Sequence, residues 1–161
     1  MPDLVKIYAQ AEAGPLFACP TAHDPLRWET AGRALPGHEL RIVDPVTLGP
    51  CKTGEIGELQ ARGPMVMEGY YNKPDDTAET IIEGGWLRSG DLASFTDDGH
   101  LVISGGRLRD MIIRGGENIY PAEIENVLQT HAAVAAVAVL DVADTYYGEI
   151  VAAAVKTNGS A

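Results

Sequence analysis

The sequence predicts an α+β fold: a β-barrel-like unit followed by a small mixed unit in the order strand, helix, strand, strand. Three observations carry that prediction. Short runs of alternating apolar and polar residues, separated by turn residues, fill the chain from about Gly32 to Gly105. Pro121 then opens an amphipathic stretch directly after a glycine-rich turn. Two further apolar runs close the sequence.

In chain order, the first thirty residues show weak periodicity and read as loop. "HELRIVD" and "GELQARG" alternate at period two and read as strands. "KPDDTAETIIEGG" reads as a short helix, with acidic residues in its first turn and Gly84 and Gly85 after its end. "DLASFTDDGHLVISGG" is a hairpin turning at Asp98-Gly99. Trp86, just before it, reads as core. "MIIR" is a short strand and "GGEN" a turn rich in positions that tolerate positive φ. In "PAEIENVLQTH", Ile124, Val127 and Leu128 make the apolar face. "AAVAAVAVLDVAD" and "GEIVAAAVK" are the last strands, and a further helix would be needed to cover their sheet.

Composition narrows the function classes. With 161 residues, 45% of them hydrophobic and 22% charged, the chain can bury a real core. Its apolar runs are too short to span a bilayer, and the start "MPDLVKIYAQAEAG" lacks signal-peptide character. Cys19 and Cys51 have neither zinc nor disulfide-framework spacing, so reduced thiols and a cytoplasmic location are expected. His23, His38, His100 and His131 show no metal spacing. The net charge of −11 disfavours nucleic acid and anionic membranes as partners. One segment runs against it: from Leu101 to Gly115, Arg107, Arg109 and Arg114 face Asp110 alone. That hints at an anion, although three arginines on a hairpin also suit a solvated face.

Three separated stretches, in order, resemble the adenylate-forming enzymes, and among them the acyl-CoA synthetases of fatty or aryl acids. "IYAQAEAG" is similar to the family's Tyr-Gly-x-Thr-Glu segment, and "GELQARGPMVMEGYYNKPDDTAE" to its Gly-Glu-Leu and Gly-Tyr stretch. "GGWLRSGDLASFTDDGHLVISGGRLRDMIIRGGENIYPAEIENVL" resembles its Gly-Asp-Leu, Gly-Arg-x-x-Asp and Gly-Glu-Asn blocks. The resemblance implies two steps. A carboxylic acid and ATP form an acyl-adenylate with loss of pyrophosphate, then the coenzyme A thiol displaces AMP. Charge spreads over the phosphates in the first step, so cations and donors must stabilise it.

The same resemblance assigns residues. Glu12 matches the carboxylate that holds Mg²⁺ beside the phosphates, and a hard oxygen ligand suits that ion; taken alone it is a surface glutamate. Tyr8 matches the aromatic that packs on adenine, and core packing would serve equally. Asp91 matches the acceptor for both ribose hydroxyls; its bland alternative is a turn aspartate after Gly90. Arg107 matches the arginine that reaches ribose and phosphate, against a plain surface ion pair. Arg109 falls at the family's hinge, where Asp or Lys is commoner. Arg114, Gly115, Gly116 and Glu117 would flank the passage of the pantetheine thiol, although the bare pattern is an ordinary tight hairpin.

Two departures stand out: Ala9 replaces the usual Gly, and Ala11 the usual Thr, removing a hydroxyl that would donate to phosphate. The "SGTTGxPK" phosphate loop and the C-terminal catalytic lysine of the family have no counterpart in these residues. The expected organisation is therefore the end of a large domain (1–31), a β-barrel subdomain (32–106) and an incomplete small domain (107–161). Such a piece is expected to form no adenylate alone. A truncated nucleotide or acyl-thioester binding module, and an adenylation domain loading a carrier protein, are the alternatives.

Overall fold

The computed structural model describes residues 7–19, 25–26 and 28–159. His23 lies outside them, as does the side chain of Cys19. The chain divides into two compact units, Met1–Ile103 and Ser104–Ala161. Among the described residues the fold is α+β, mostly strand with two short α-helices, as the alternation predicts.

In the first unit, β1 (Tyr8–Gln10), β2 (Gly14–Cys19) and β3 (Arg33–Ala34) form a small antiparallel sheet. The expectation of loop here is corrected. Strands too short to show alternation are held by ladder bonds and by packing, and Tyr8 packs against both apolar clusters of this unit.

A second, curled sheet has the order β4 (Glu39–Val43), β5 (Gly57–Arg62), β7 (Trp86–Phe95), β6 (Ile81–Ile82), with β8 (Leu101–Arg107) also on β7. Its core centres on Leu59, Leu87, Ala93 and Leu101, each at most 1% exposed. The hairpin turns at Asp98-Gly99 as expected, closed by the Thr96 and His100 backbone bond of 2.9 Å.

α1 (Pro74–Thr80) is shorter than the expected helix. Ile81 and Ile82 leave it to pair with Leu87 and Trp86, a better use of two β-branched side chains. Trp86 is not core: it is half-buried, with the guanidinium groups of Arg41 and Arg62 stacked 4.1 and 4.8 Å from the centre of its ring.

β5 departs from simple alternation. Leu59 and Ala61 face the core, yet Glu58 and Gln60 on its other face are also buried, at 1% and 2% exposure. They survive there because they are paired. Arg88 Nε donates to both Glu58 oxygens (3.2 and 3.0 Å), and Arg41 Nε donates to Gln60 Oε1 at 2.8 Å.

The second unit is an antiparallel sheet in the order β10 (Glu117–Ile119), β9 (Ile112–Arg114), β12 (Gly148–Thr157), β11 (Val134–Asp144), with α2 (Pro121–Gln129) packed on β11. Glu125 Oε1 accepts a bond from the Val139 amide at 2.8 Å, tying the helix to that edge strand. Ile124 and Leu128 are half-buried, but Val127 is 70% exposed and does not belong to the packed face. A nine-residue helix resting on one strand has room for a narrow stripe only. Among the described residues no helix is long and apolar enough to cross a membrane.

Candidate functional site

A bulge in β7 builds the most distinctive polar cluster. Glu58 pairs with Leu92 and Gln60 with Arg88, so Leu59 alone stands opposite Ser89, Gly90 and Asp91. Gly90, with φ +69°, supplies the left-handed residue that lets the strand absorb the extra length. The Asp91 amide bonds Ser89 Oγ at 3.0 Å, which tightens the bulge. Asp91 is only 9% exposed. Its Oδ2 accepts the Tyr8 hydroxyl at 2.7 Å and Gln10 Nε2 at 2.8 Å. Both donors stand two positions apart on β1 and so share one face of that strand. Tyr8 therefore plays two parts at once, packing in the core and holding a carboxylate.

Glu12 sits on the 3₁₀ turn Ala11–Ala13 that follows β1. Its Oε1 accepts the Tyr70 hydroxyl at 3.0 Å, and its carbonyl accepts the Met67 amide at 2.8 Å. Burial first, then the bond to Glu12 and its charge, push the Tyr70 hydroxyl above its ordinary range, so it stays a donor. Tyr70 is itself fixed by α1, through its amide on Thr77 Oγ1 at 2.9 Å. Ala9, Gln10, Ala11 and Gly14 line an open hollow. Among the described residues no group of three or more potential metal ligands occurs. Glu12 as a single half-buried carboxylate still suits magnesium, which keeps most of its waters and takes few protein ligands.

The structure thus joins Tyr8 to Asp91 and places Glu12 two residues beyond Gln10. The remaining expected residues belong to the second unit. Arg107 is exposed, in extended backbone just before the 3₁₀ turn Leu108–Asp110. Arg109 lies in that turn with its Nε 3.4 Å from Asp110 Oδ1, both side chains more than half exposed. Arg114 stacks its guanidinium 4.1 Å from the Tyr147 ring. Gly115 and Gly116 make the β9–β10 turn at φ +60° and +92°, and the Gly115 amide bonds the Tyr147 carbonyl at 2.9 Å. Glu117 is exposed and pairs in register with Arg114.

Gln10 and Tyr70 were not expected from the sequence. Their partners lie 81 and 58 positions away, and only the fold brings them within reach. Tyr147, likewise, is revealed by its contacts with Arg114 and Gly115.

Comparison with known proteins follows the same lines. Residues 1–71 match the family described as AMP-binding enzyme. The putative acyl-CoA synthetase YngI of Bacillus subtilis (strain 168) is 48% identical over 158 residues, covering 97% of this chain and 29% of YngI. The crystal structure of ATP-bound MatB from Rhodopseudomonas palustris is 32% identical with a TM-score of 0.84, over 96% of this chain and 30% of MatB. The amide bond synthetase McbA from Marinactinospora thermotolerans is 39% identical with a TM-score of 0.77, over 96% of this chain and 32% of McbA. The chain therefore spans less than a third of the length of these relatives.

Proposed function

Since the chain belongs to the AMP-binding, adenylate-forming enzymes, we propose that it is the nucleotide-holding part of an ATP-dependent acid–CoA ligase. In the proposed reaction a carboxylate oxygen bonds to the α-phosphorus of ATP as the bond to pyrophosphate breaks. The coenzyme A thiol then attacks the acyl carbon, and AMP leaves.

One observation carries this reading. A carboxylate that is 9% exposed is held by two side-chain donors in a strand bulge, with a tyrosine ring beside it. Such a group is costly to bury without hydrogen-bond partners, and a carboxylate held fixed by them is a natural acceptor for a ribose diol. Tyr8 would lie against adenine, and Arg107 would reach the ribose and phosphates. Glu12 would hold magnesium, which when bound neutralises phosphate charge. Arg109 would be the hinge residue. Arg114, Gly115, Gly116 and Glu117 would border the thiol path, where glycines let the arm come close to backbone. The partition at 1–31, 32–106 and 107–161, and a cytoplasmic setting for the two thiols, belong to the same proposal.

Ala11 favours a second reading, nucleotide holding without chemistry, because it offers no hydroxyl to a phosphate. Calorimetry with AMP tests both. Saturable binding by the chain, lost at least tenfold in Asp91→Ala, is the expected result, and a folded chain that ignores AMP overturns the nucleotide site. The 161-residue chain is expected to show no ATP–pyrophosphate exchange; exchange by it would overturn the view that it is incompetent alone.

A further inference from the structure

We propose that Gln10 is a positioning residue that sets Asp91 for a vicinal diol, and so makes the site select ribonucleotides over 2′-deoxyribonucleotides. The inference rests on the nucleotide reading above and names a determinant of its specificity.

An amide NH₂ has two donors, and Gln10 Nε2 uses them on two groups of the same bulge: the Ser89 carbonyl at 3.0 Å and Asp91 Oδ2 at 2.8 Å. Both partners only accept, so the amide nitrogen must face them. The two bonds brace the Asp91 side chain against its own backbone two residues upstream. The Tyr8 hydroxyl meets the same oxygen at 2.7 Å. Two donors converging on Oδ2 restrict rotation of the carboxylate about its stem.

A carboxylate already ordered binds a two-point ligand without the entropy cost of fixing it. A diol gains from that order because both its hydroxyls must meet one planar group. A lone hydroxyl gains less, since a mobile carboxylate can follow it. Gln10 is suited to this work because it donates without adding charge beside Asp91. Methionine of similar length donates nothing, and glutamate turns both donors into acceptors.

The test is calorimetry of the 161-residue chain with AMP and with 2′-deoxy-AMP, for the unaltered protein, Gln10→Met and Gln10→Glu. Thermal melts identify folded variants. The expected result for Gln10→Met is about a tenfold loss of AMP affinity with little change for 2′-deoxy-AMP, so that the preference between them collapses. Gln10→Glu should lose more, because its carboxylate meets the Ser89 carbonyl and Asp91 without a donor.

Parallel losses for both nucleotides would show a general structural role and overturn the proposal, as would an unchanged preference. If neither variant folds, the amide is structural and the proposal falls. If the unaltered chain binds neither nucleotide, the nucleotide reading itself fails. If it binds AMP through Asp91 while Gln10→Met leaves the preference intact, the present inference alone fails.

Discussion

Asp44 and Asp144 each fold a loop back onto their own carboxylate. Asp44 Oδ1 accepts the Thr47 and Val46 amides at 2.7 and 2.9 Å, and Asp144 Oδ1 the Tyr147 and Tyr146 amides at 2.7 and 2.8 Å. These backbone donors favour the charged form and hold both carboxyls below the ordinary aspartate value of 3.8. A depressed folded-state value contributes stability that is complete above about 3.8 and disappears as pH falls through the lower folded values. Thermal melts between pH 6 and pH 2.5 should therefore show a decline that begins near pH 4. In the Asp44→Asn, Asp144→Asn double variant this part of the decline should be shallower; an unchanged slope would remove both groups from the account. At this scale the family resemblance picked out Tyr8, Glu12 and Asp91 from local motifs. Gln10 and Tyr70 have ordinary neighbours in the chain, so nothing local marked them.

At the scale of elements, β5 shows where alternation misleads. Its polar positions alternate with apolar ones, yet Glu58 is 1% exposed and paired with an Arg88 side chain that is 35% exposed. Removing Glu58 leaves a partly buried guanidinium without its anion. Glu58→Ala should therefore cost about 2–3 kcal/mol in urea denaturation, below the full range for a wholly buried pair because Arg88 meets water. Lys73→Ala, which breaks a pair with side chains 65% and 54% exposed, should change stability by less than about 0.5 kcal/mol. Val127→Ala, in α2, should be equally mild because that side chain is 70% exposed. A large loss there would mean that the helix packs through Val127 after all. The position of α2 was legible from Pro121 and its apolar spacing. Which of its apolar residues would be covered was not, because a single strand beneath it decides that.

At the scale of the whole molecule, the chain forms two compact units, and the second leaves apolar sheet surface in water. Leu140 and Val142, in register with Ala152 and Ile150, are 44% and 41% exposed. Contiguous exposed apolar strand surface of this kind binds apolar dyes and promotes association. The chain should enhance anilinonaphthalene sulfonate fluorescence at neutral pH. Leu140→Thr with Val142→Thr, which keeps strand propensity, should lower that signal by about half without lowering the melting temperature. An unaltered signal would place the dye elsewhere. The net charge of −11 opposes association, so the effect should grow with salt.

The α+β class, the hairpin at Asp98-Gly99, the helix opened by Pro121 and the family resemblance were legible in the chain, because turn chemistry, proline geometry and motif patterns act over short stretches. Through that resemblance it singled out Asp91 and Glu12 as the expected ribose acceptor and magnesium ligand. Not legible there were the three-residue bulge opposite Leu59, the placing of β1 where Tyr8 and Gln10 reach Asp91, and the burial of Glu58 and Gln60 with partners. Each of these depends on strand register between segments tens of residues apart. Register is set by the packing of the sheet as a whole, not by the residues on either strand alone.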